Sequence, residues 1–164
     1  QQYLEDMNDQ LGLISFSEDI CEPVLWSHYA DSHRGIALEF DYLLNDGLHK
    51  VTYTNERPAI DPRWMNDPGK FGQLAKVLQG FWYRKSLGWT YEKEWRVVCE
   101  LKKCKTSGGM FFQEIPRDFL KRVILGVRCT AGATYLRRAL DLHGFETVEL
   151  VKATQDNKTF EIRC

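Results

Sequence analysis

The chain has 164 residues, of which 43% are hydrophobic and 13% aromatic. That composition excludes disorder as the main description and suits one domain with a core of ordinary size. Basic and acidic side chains number 22 and 23, so no global field draws the chain to nucleic acid or an anionic membrane, and any such contact must come from a local patch.

Tyr3, Leu4 and Met7 have helical spacing and Asn8-Asp9 marks the end of that first helix. Leu11 to Ser17 alternates as a strand, with Ser15 and Ser17 on one face and Ile14 and Phe16 on the other. Pro23 suits a helix start, and Val24 to Ala30 forms a short helix that Gly35 closes off. Strands are predicted at Ile36 to Phe40 and Lys50 to Thr54. Pro58, Pro62 and Pro68 then hold a long irregular connection of the kind that often covers a binding site. Phe71, Leu74, Val77, Leu78, Phe81 and Trp82 recur at helical spacing, giving an amphipathic helix from about Lys70 to Tyr83 whose stripe is core. A strand through Val97 to Leu101 is followed by a turn at Lys105 to Gly109 and a strand from Met110 to Ile115, which together read as a hairpin. Val123 to Leu125 is a short buried strand. Thr130 can cap a helix that points Tyr135, Leu136, Ala139 and Leu140 inward, and Gly144 ends it. Val148 to Lys152 and Phe160 to Ile162 close the chain as strands around a turn at Asp156-Asn157. The pattern predicts a single α+β domain with a mixed, mainly antiparallel sheet and flanking helices.

The five cysteines, Cys21, Cys99, Cys104, Cys129 and Cys164, lack C-x-x-C pairing and zinc-type histidine spacing, which points to a reducing cytoplasmic setting with no metal centre. No apolar run is long enough to cross a bilayer, and Gln1 to Glu5 form no secretory signal. The start lacks a methionine, so the chain is expected to be missing an N-terminal segment of a longer protein.

The stretch Trp89-Thr90-Tyr91-Glu92-Lys93-Glu94-Trp95-Arg96-Val97-Val98 carries the chemistry. Read as a strand, it projects Glu92, Glu94 and Arg96 from one face. Neighbouring carboxylates repel unless a cation, a ligand or water separates them, so the pair either binds something or forms the solvated face of a strand that Arg96 balances.

Leu11 to Ser17, then Leu25-Trp26-Ser27-His28-Tyr29-Ala30 through His33, Gly35 and Asp41, then Trp89-x-Tyr91-Glu92-x-Glu94-Trp95-Arg96, together resemble a large prokaryotic and phage family of unknown function. That family has a serine-rich strand, a Trp-x-His-Tyr-Ala helix, a Gly-led strand and a W-x-Y-E-x-E-x-R block. Its members carry an N-terminal portion with an aromatic and histidine-rich first strand that this sequence lacks. The order of Ser15-Phe16-Ser17 and Glu92-Lys93-Glu94 also resembles the ADP-ribosyltransferase fold, whose enzymes bear an arginine or histidine on a first strand, then Ser-x-Ser, then E-x-E. This second likeness implies NAD as co-substrate and an unidentified acceptor. Glu94 would hold the ribose and stabilise its developing positive charge, Glu92 would orient or deprotonate the acceptor, and Ser15 or Ser17 would position Glu94 and the sugar. Trp26, Tyr29 or Phe16 would stack on the nicotinamide, and His28 and Arg96 complete the expected NAD-binding set.

Three other constellations compete. Ser27 with His28 or His33 suggests a nucleophile and base, but neighbouring helical side chains diverge and no acidic orienter is evident. Glu100-Leu101-Lys102, with Asp41 or Glu92, resembles part of a metal-dependent nuclease core. Lys102, Lys103, Lys105, Arg117, Lys121 and Arg122 offer a local basic patch for nucleic acid. An ADP-ribosyltransferase-like enzyme is the leading expectation, with a non-catalytic interaction or sensor domain next and a nuclease third.

Overall fold

The computed structural model describes residues 9–41, 47–159 and 161–164; the helix expected around Tyr3, Leu4 and Met7 lies outside them. In chain order the elements are β1 (Leu11–Ser17), α1 (Pro23–Tyr29), β2 (Ile36–Phe40), β3 (Leu48–Lys50), β4 (Thr52–Tyr53), α2 (Phe71–Trp82), β5 (Arg84–Lys85) and β6 (Glu94–Glu100). They continue with β7 (Lys105–Ser107), β8 (Met110–Phe112), β9 (Leu120–Leu125), α3 (Ala133–Leu142), β10 (Glu149–Lys152), β11 (Thr154–Gln155) and β12 (Ile162–Arg163). The class is α+β, with most strand pairs antiparallel. The chain divides into two compact units, one from Gln1–Glu18 and Leu44–Phe112, the other from Asp19–Leu43 and Gln113–Cys164.

In the first unit a three-stranded antiparallel sheet runs in the order β1-β6-β3. Alternation in β1 leaves Leu13, Ser15 and Ser17 exposed and turns Ile14 and Phe16 inward, as period two requires. The strand expected over Lys50 to Thr54 is divided. Residues up to Lys50 pair with β6, whereas β4 pairs in parallel with β5. Val51, between them, is 4% exposed and donates its N–H to the Glu94 carbonyl at 2.9 Å. The proline-rich connection is not wholly irregular, because Pro62–Asn66 and Pro68–Lys70 each wind into 3-10 turns and Asp61 caps the first. Helix α2 buries Leu74 and Leu78, the middle of the predicted apolar stripe.

In the second unit β9 lies between β2, antiparallel, and β10, parallel, and β9-α3-β10 is a strand-helix-strand crossover. Trp26, Ala30, Ile124, Ala153 and Ile162 form its core, with Ile124 fully enclosed. Gly144, at φ 79°, follows the end of α3, where only a residue free of a Cβ turns left-handed without strain. Thr130 is not the cap: the helix begins three residues later at Ala133 behind Gly132. Leu136, Ala139 and Leu140 are half-buried as expected, but Tyr135 stands 75% exposed instead of pointing inward. Asp156 accepts from the N–H groups of Lys158 at 2.7 Å and Thr159 at 3.0 Å, forming the expected turn.

Helix α1 ends in an unusual way. Gly35 was expected to close it, yet the left-handed residues are Asp31, Ser32 and His33, at φ 45°, 51° and 67°. Three such residues in succession cost on the order of 1–2 kcal/mol each. They are held by Ser32 N–H on the Ser27 carbonyl at 3.3 Å, His33 N–H on Trp26 at 3.1 Å and Gly35 N–H on Ala30 at 2.8 Å. The His33 carbonyl in turn accepts from Arg128 at 3.0 Å and presses on Gly126, where a Cβ would stand 2.2 Å from it.

Candidate functional site

The expected strand from Trp89 does not form. Residues Leu87–Glu92 wind into a 3-10 turn, closed by Trp89 N–H on Ser86 at 3.0 Å and by the Thr90 hydroxyl on the Leu87 carbonyl at 2.5 Å. Lys93 then adopts a left-handed conformation, φ 45°, before the chain enters β6 at Glu94. Simple alternation therefore does not explain why the two acids meet.

A lysine brings them together. Lys85 Nζ, on β5, donates to Glu92 Oε2 in a short ion pair and to Glu94 Oε2 at 3.1 Å. Both glutamates are 4% exposed, and charges at that depth persist only when paired. Arg96 supplies the second cation. Its Nε reaches Glu94 Oε1 at 2.8 Å and its Nη2 reaches Oε2 at 3.0 Å, a two-pronged pairing, while Nη1 donates to the Trp82 carbonyl at 2.6 Å. Two acids and two bases leave the cluster neutral.

The serines of β1 complete it. The antiparallel register sets Ser17 opposite Glu94 and Ser15 opposite Arg96, which makes Ser15 a diagonal neighbour of Glu94 on one face. The Ser15 hydroxyl is hydrogen-bonded to the Glu94 carboxylate, and the Ser17 hydroxyl donates to the Glu92 carbonyl at 2.7 Å. Tyr53 Oη accepts from the Glu94 N–H at 2.8 Å, so backbone and side chain are both fixed. Burial alone would raise the Glu94 carboxyl, but the bonds from Arg96, Ser15 and Lys85 outweigh it and bring the group down to about 2. Burial works to lower Lys85, and its bonds to Glu92 and Glu94 raise it above the ordinary lysine value. The Lys85 ammonium also lies 5.0 Å from the centre of the Trp89 ring, within cation-π range.

Lys85 escaped the sequence reading because no spacing rule ties it to Glu92, seven residues on. The available signal was charge balance: two adjacent acids against Arg96 alone demand one more cation.

Trp26, His28 and Tyr29 belong to the second unit. Trp26 is 3% exposed and donates its indole N–H to the Ile20 carbonyl at 2.6 Å, as a member of that unit's core. Tyr29 is 68% exposed, edge-on to the His28 ring at 6.2 Å. The serine-histidine pairing that does form joins Ser27 Oγ to His33 Nε2 at 3.0 Å, not to His28. Ser27 Oγ also donates to the Pro23 carbonyl at 3.0 Å. A hydroxyl has one proton, so with that bond made His33 donates to the serine and cannot act as its base.

Of the nuclease-like residues, Glu100 is engaged locally by Lys102 and Lys103, at 3.0 Å and 2.6 Å, and Glu92 is held by Lys85. Among the described residues no three histidine, cysteine or acidic side chains gather as a metal site. The basic residues considered for nucleic acid divide between the units, with Lys102, Lys103 and Lys105 in the first and Arg117, Lys121 and Arg122 in the second. The cysteines are free thiols; burial and contact with Cys21 push Cys164 up to about 12, which disfavours the nucleophilic thiolate. Among the described residues no helix is long and apolar enough to cross a membrane.

The model of a family described as "Protein of unknown function (DUF2971)" matches residues 25–97. That segment is similar to the DUF2971 family. The matched segment carries Trp26, His28 and Tyr29 as well as Lys85, Glu92, Glu94 and Arg96, whereas Ser15 and Ser17 precede it. No curated protein and no solved structure matches the chain.

Proposed function

We propose that Ser15, Glu92, Glu94 and Arg96 form the centre of an ADP-ribosyltransferase-like enzyme that uses NAD as a substrate. The observation that carries this reading is the Ser15 hydroxyl bound to the Glu94 carboxylate across the β1–β6 pair. In the reaction the bond between the ribose C1′ and nicotinamide breaks, nicotinamide leaves with the electron pair, and a nucleophilic acceptor bonds to C1′ and gives its proton to Glu92. Glu94, ionised at every physiological pH, places fixed negative charge beside the cationic sugar, so it stabilises the transition state more than the ground state. Ser15 and Arg96 set its orientation, and Ser17 fixes the backbone at Glu92. Lys85 must yield one of its two carboxylate bonds for the sugar to reach Glu94.

The test is nicotinamide release from NAD by the purified chain, compared with Glu94→Gln. A fall of at least about a hundredfold is expected, in line with the loss of a preorganised charge, with circular dichroism confirming the fold. Unchanged release in the variant would overturn the assignment.

A second reading is favoured by one feature. Arg96, Lys85 and Ser15 already occupy the acceptor positions of a Glu94 that is 4% exposed, as expected of an ion cluster that braces a non-catalytic interaction domain. On that reading neither protein releases nicotinamide, and Glu94→Gln changes stability alone.

A further inference from the structure

Beside the glutamate cluster lies a cleft of about 460 Å³, within the size range of small-molecule sites. Its floor is held by the β4–β5 pair, through Thr52 N–H on the Tyr83 carbonyl at 2.7 Å and Thr54 N–H on Lys85 at 2.9 Å. Arg57, Arg84, Phe81, Asn55 and Glu56 line it, and Lys85 forms part of the same wall. Lys85 spends its charge on Glu92 and Glu94. The two arginines do not: among the described residues neither guanidinium has a carboxylate partner.

We infer that this cleft binds a nucleotide, its phosphates on Arg57 and Arg84 and its base on Phe81. Two guanidiniums bordering one concave site can each match phosphate oxygens through planar forks of N–H donors. Phe81 belongs to the apolar stripe of α2 but is 44% exposed at the cleft; a flat aromatic ligand is the partner that covers such a face without needing a hydrogen bond from it. A purely apolar ligand would strip water from both guanidiniums without compensation, and a simple inorganic anion would leave the ring uncovered. Asn55 and Glu56 add an amide and a carboxylate for the donors of a base or a ribose. The inference stands on the cleft alone and does not depend on the transferase reading.

Titration calorimetry of the full chain at low salt tests it, with ADP, inorganic pyrophosphate and adenosine as separate ligands. ADP is expected to bind, and Arg57→Gln and Arg84→Gln should each weaken it roughly tenfold or more, the usual scale for a lost charged hydrogen bond. Pyrophosphate should lose affinity in the same two variants and be indifferent to Phe81→Leu, which should weaken ADP. Thermal melts would confirm that these surface substitutions leave the fold intact. Absence of ADP binding to the unaltered chain, or an unchanged affinity in the Arg57→Gln/Arg84→Gln double variant, overturns the inference. Equal ADP affinity in Phe81→Leu overturns the nucleotide assignment. Binding is read here without turnover, so failure of this cleft and failure of ADP-ribosyl transfer are separate results.

Discussion

Acid should weaken this protein through Glu94 in particular. Its carboxyl sits at about 2 in the fold, against 4.5 for an unperturbed glutamate. At about 1.4 kcal/mol for each tenfold change in proton affinity, that difference contributes about 3 kcal/mol to folding. A lowered folded value means that the contribution is fully present above pH 4.5 and is lost as pH falls through 4.5 towards 2. For a domain with an ordinary stability of about 5–15 kcal/mol this is a large share. Denaturant unfolding between about pH 6 and pH 2.5, for the native sequence and for Glu94→Gln, isolates it. Glu18, Asp61, Glu100 and Asp156 also have lowered carboxyls, but they are common to both proteins and cancel in the difference. The variant should lose about 3–5 kcal/mol near neutrality, because Arg96 and Lys85 lose their shared partner, and it should lose less further stability on acidification. Parallel acid profiles in the two proteins would refute the claim that Glu94 is held ionised by its neighbours.

Two further perturbations test the same architecture. Lys85→Met removes the cation that Glu92 and Glu94 share and should lower the stability measured in urea by about 3 kcal/mol, part of it restored by adding Glu92→Gln. Since Lys85 is raised above 10.5 in the fold, its contribution is fully present below pH 10.5 and lost as pH rises through its folded value, so the native sequence should weaken at alkaline pH more than Lys85→Met does. Gly126→Ala places a Cβ 2.2 Å from the His33 carbonyl oxygen and 2.8 Å from its carbon. Both atoms are backbone in a left-handed run that cannot yield easily, so a loss of about 3 kcal/mol or more is expected in thermal or chemical melts, and a variant as stable as the native chain would show that this contact is looser than described.

Much of the fold was legible because periodicity and turn chemistry act locally. Leu11–Ser17 and Ile36–Phe40 read as strands from their short runs of strand-forming residues, and the observed strands carry those same limits. The stripe around Leu74 and Leu78 gave α2 to within a residue or so at each end. The errors arose where tertiary contacts decide among locally similar options. Thr130 has cap chemistry, yet the helix starts at Ala133; Lys50 to Thr54 alternates as one strand, yet β6 and β5 divide it between them. The left-handed Asp31, Ser32 and His33 have no sequence signature, because their conformation is imposed by the Trp26, Ser27 and Ala30 carbonyls and by the room that Gly126 leaves.

The acid pair was legible for the wrong reason, and the right reason constrains the chemistry. Glu92 and Glu94 were paired by assuming an extended chain; they meet because a 3-10 turn and left-handed Lys93 aim both at Lys85. A carboxyl brought to about 2 by such surroundings cannot exchange protons usefully near neutrality, since efficient acid-base catalysis needs a value near the working pH. In the proposed reaction Glu94 is therefore a fixed charge only, and proton traffic falls to Glu92. Glu94→Asp should then be harmful, because shortening the side chain breaks the two-pronged grip of Arg96 even though the charge remains. In contrast, Arg96→Lys should depress turnover through geometry alone, a lysine being unable to reproduce the paired bonds at 2.8 Å and 3.0 Å.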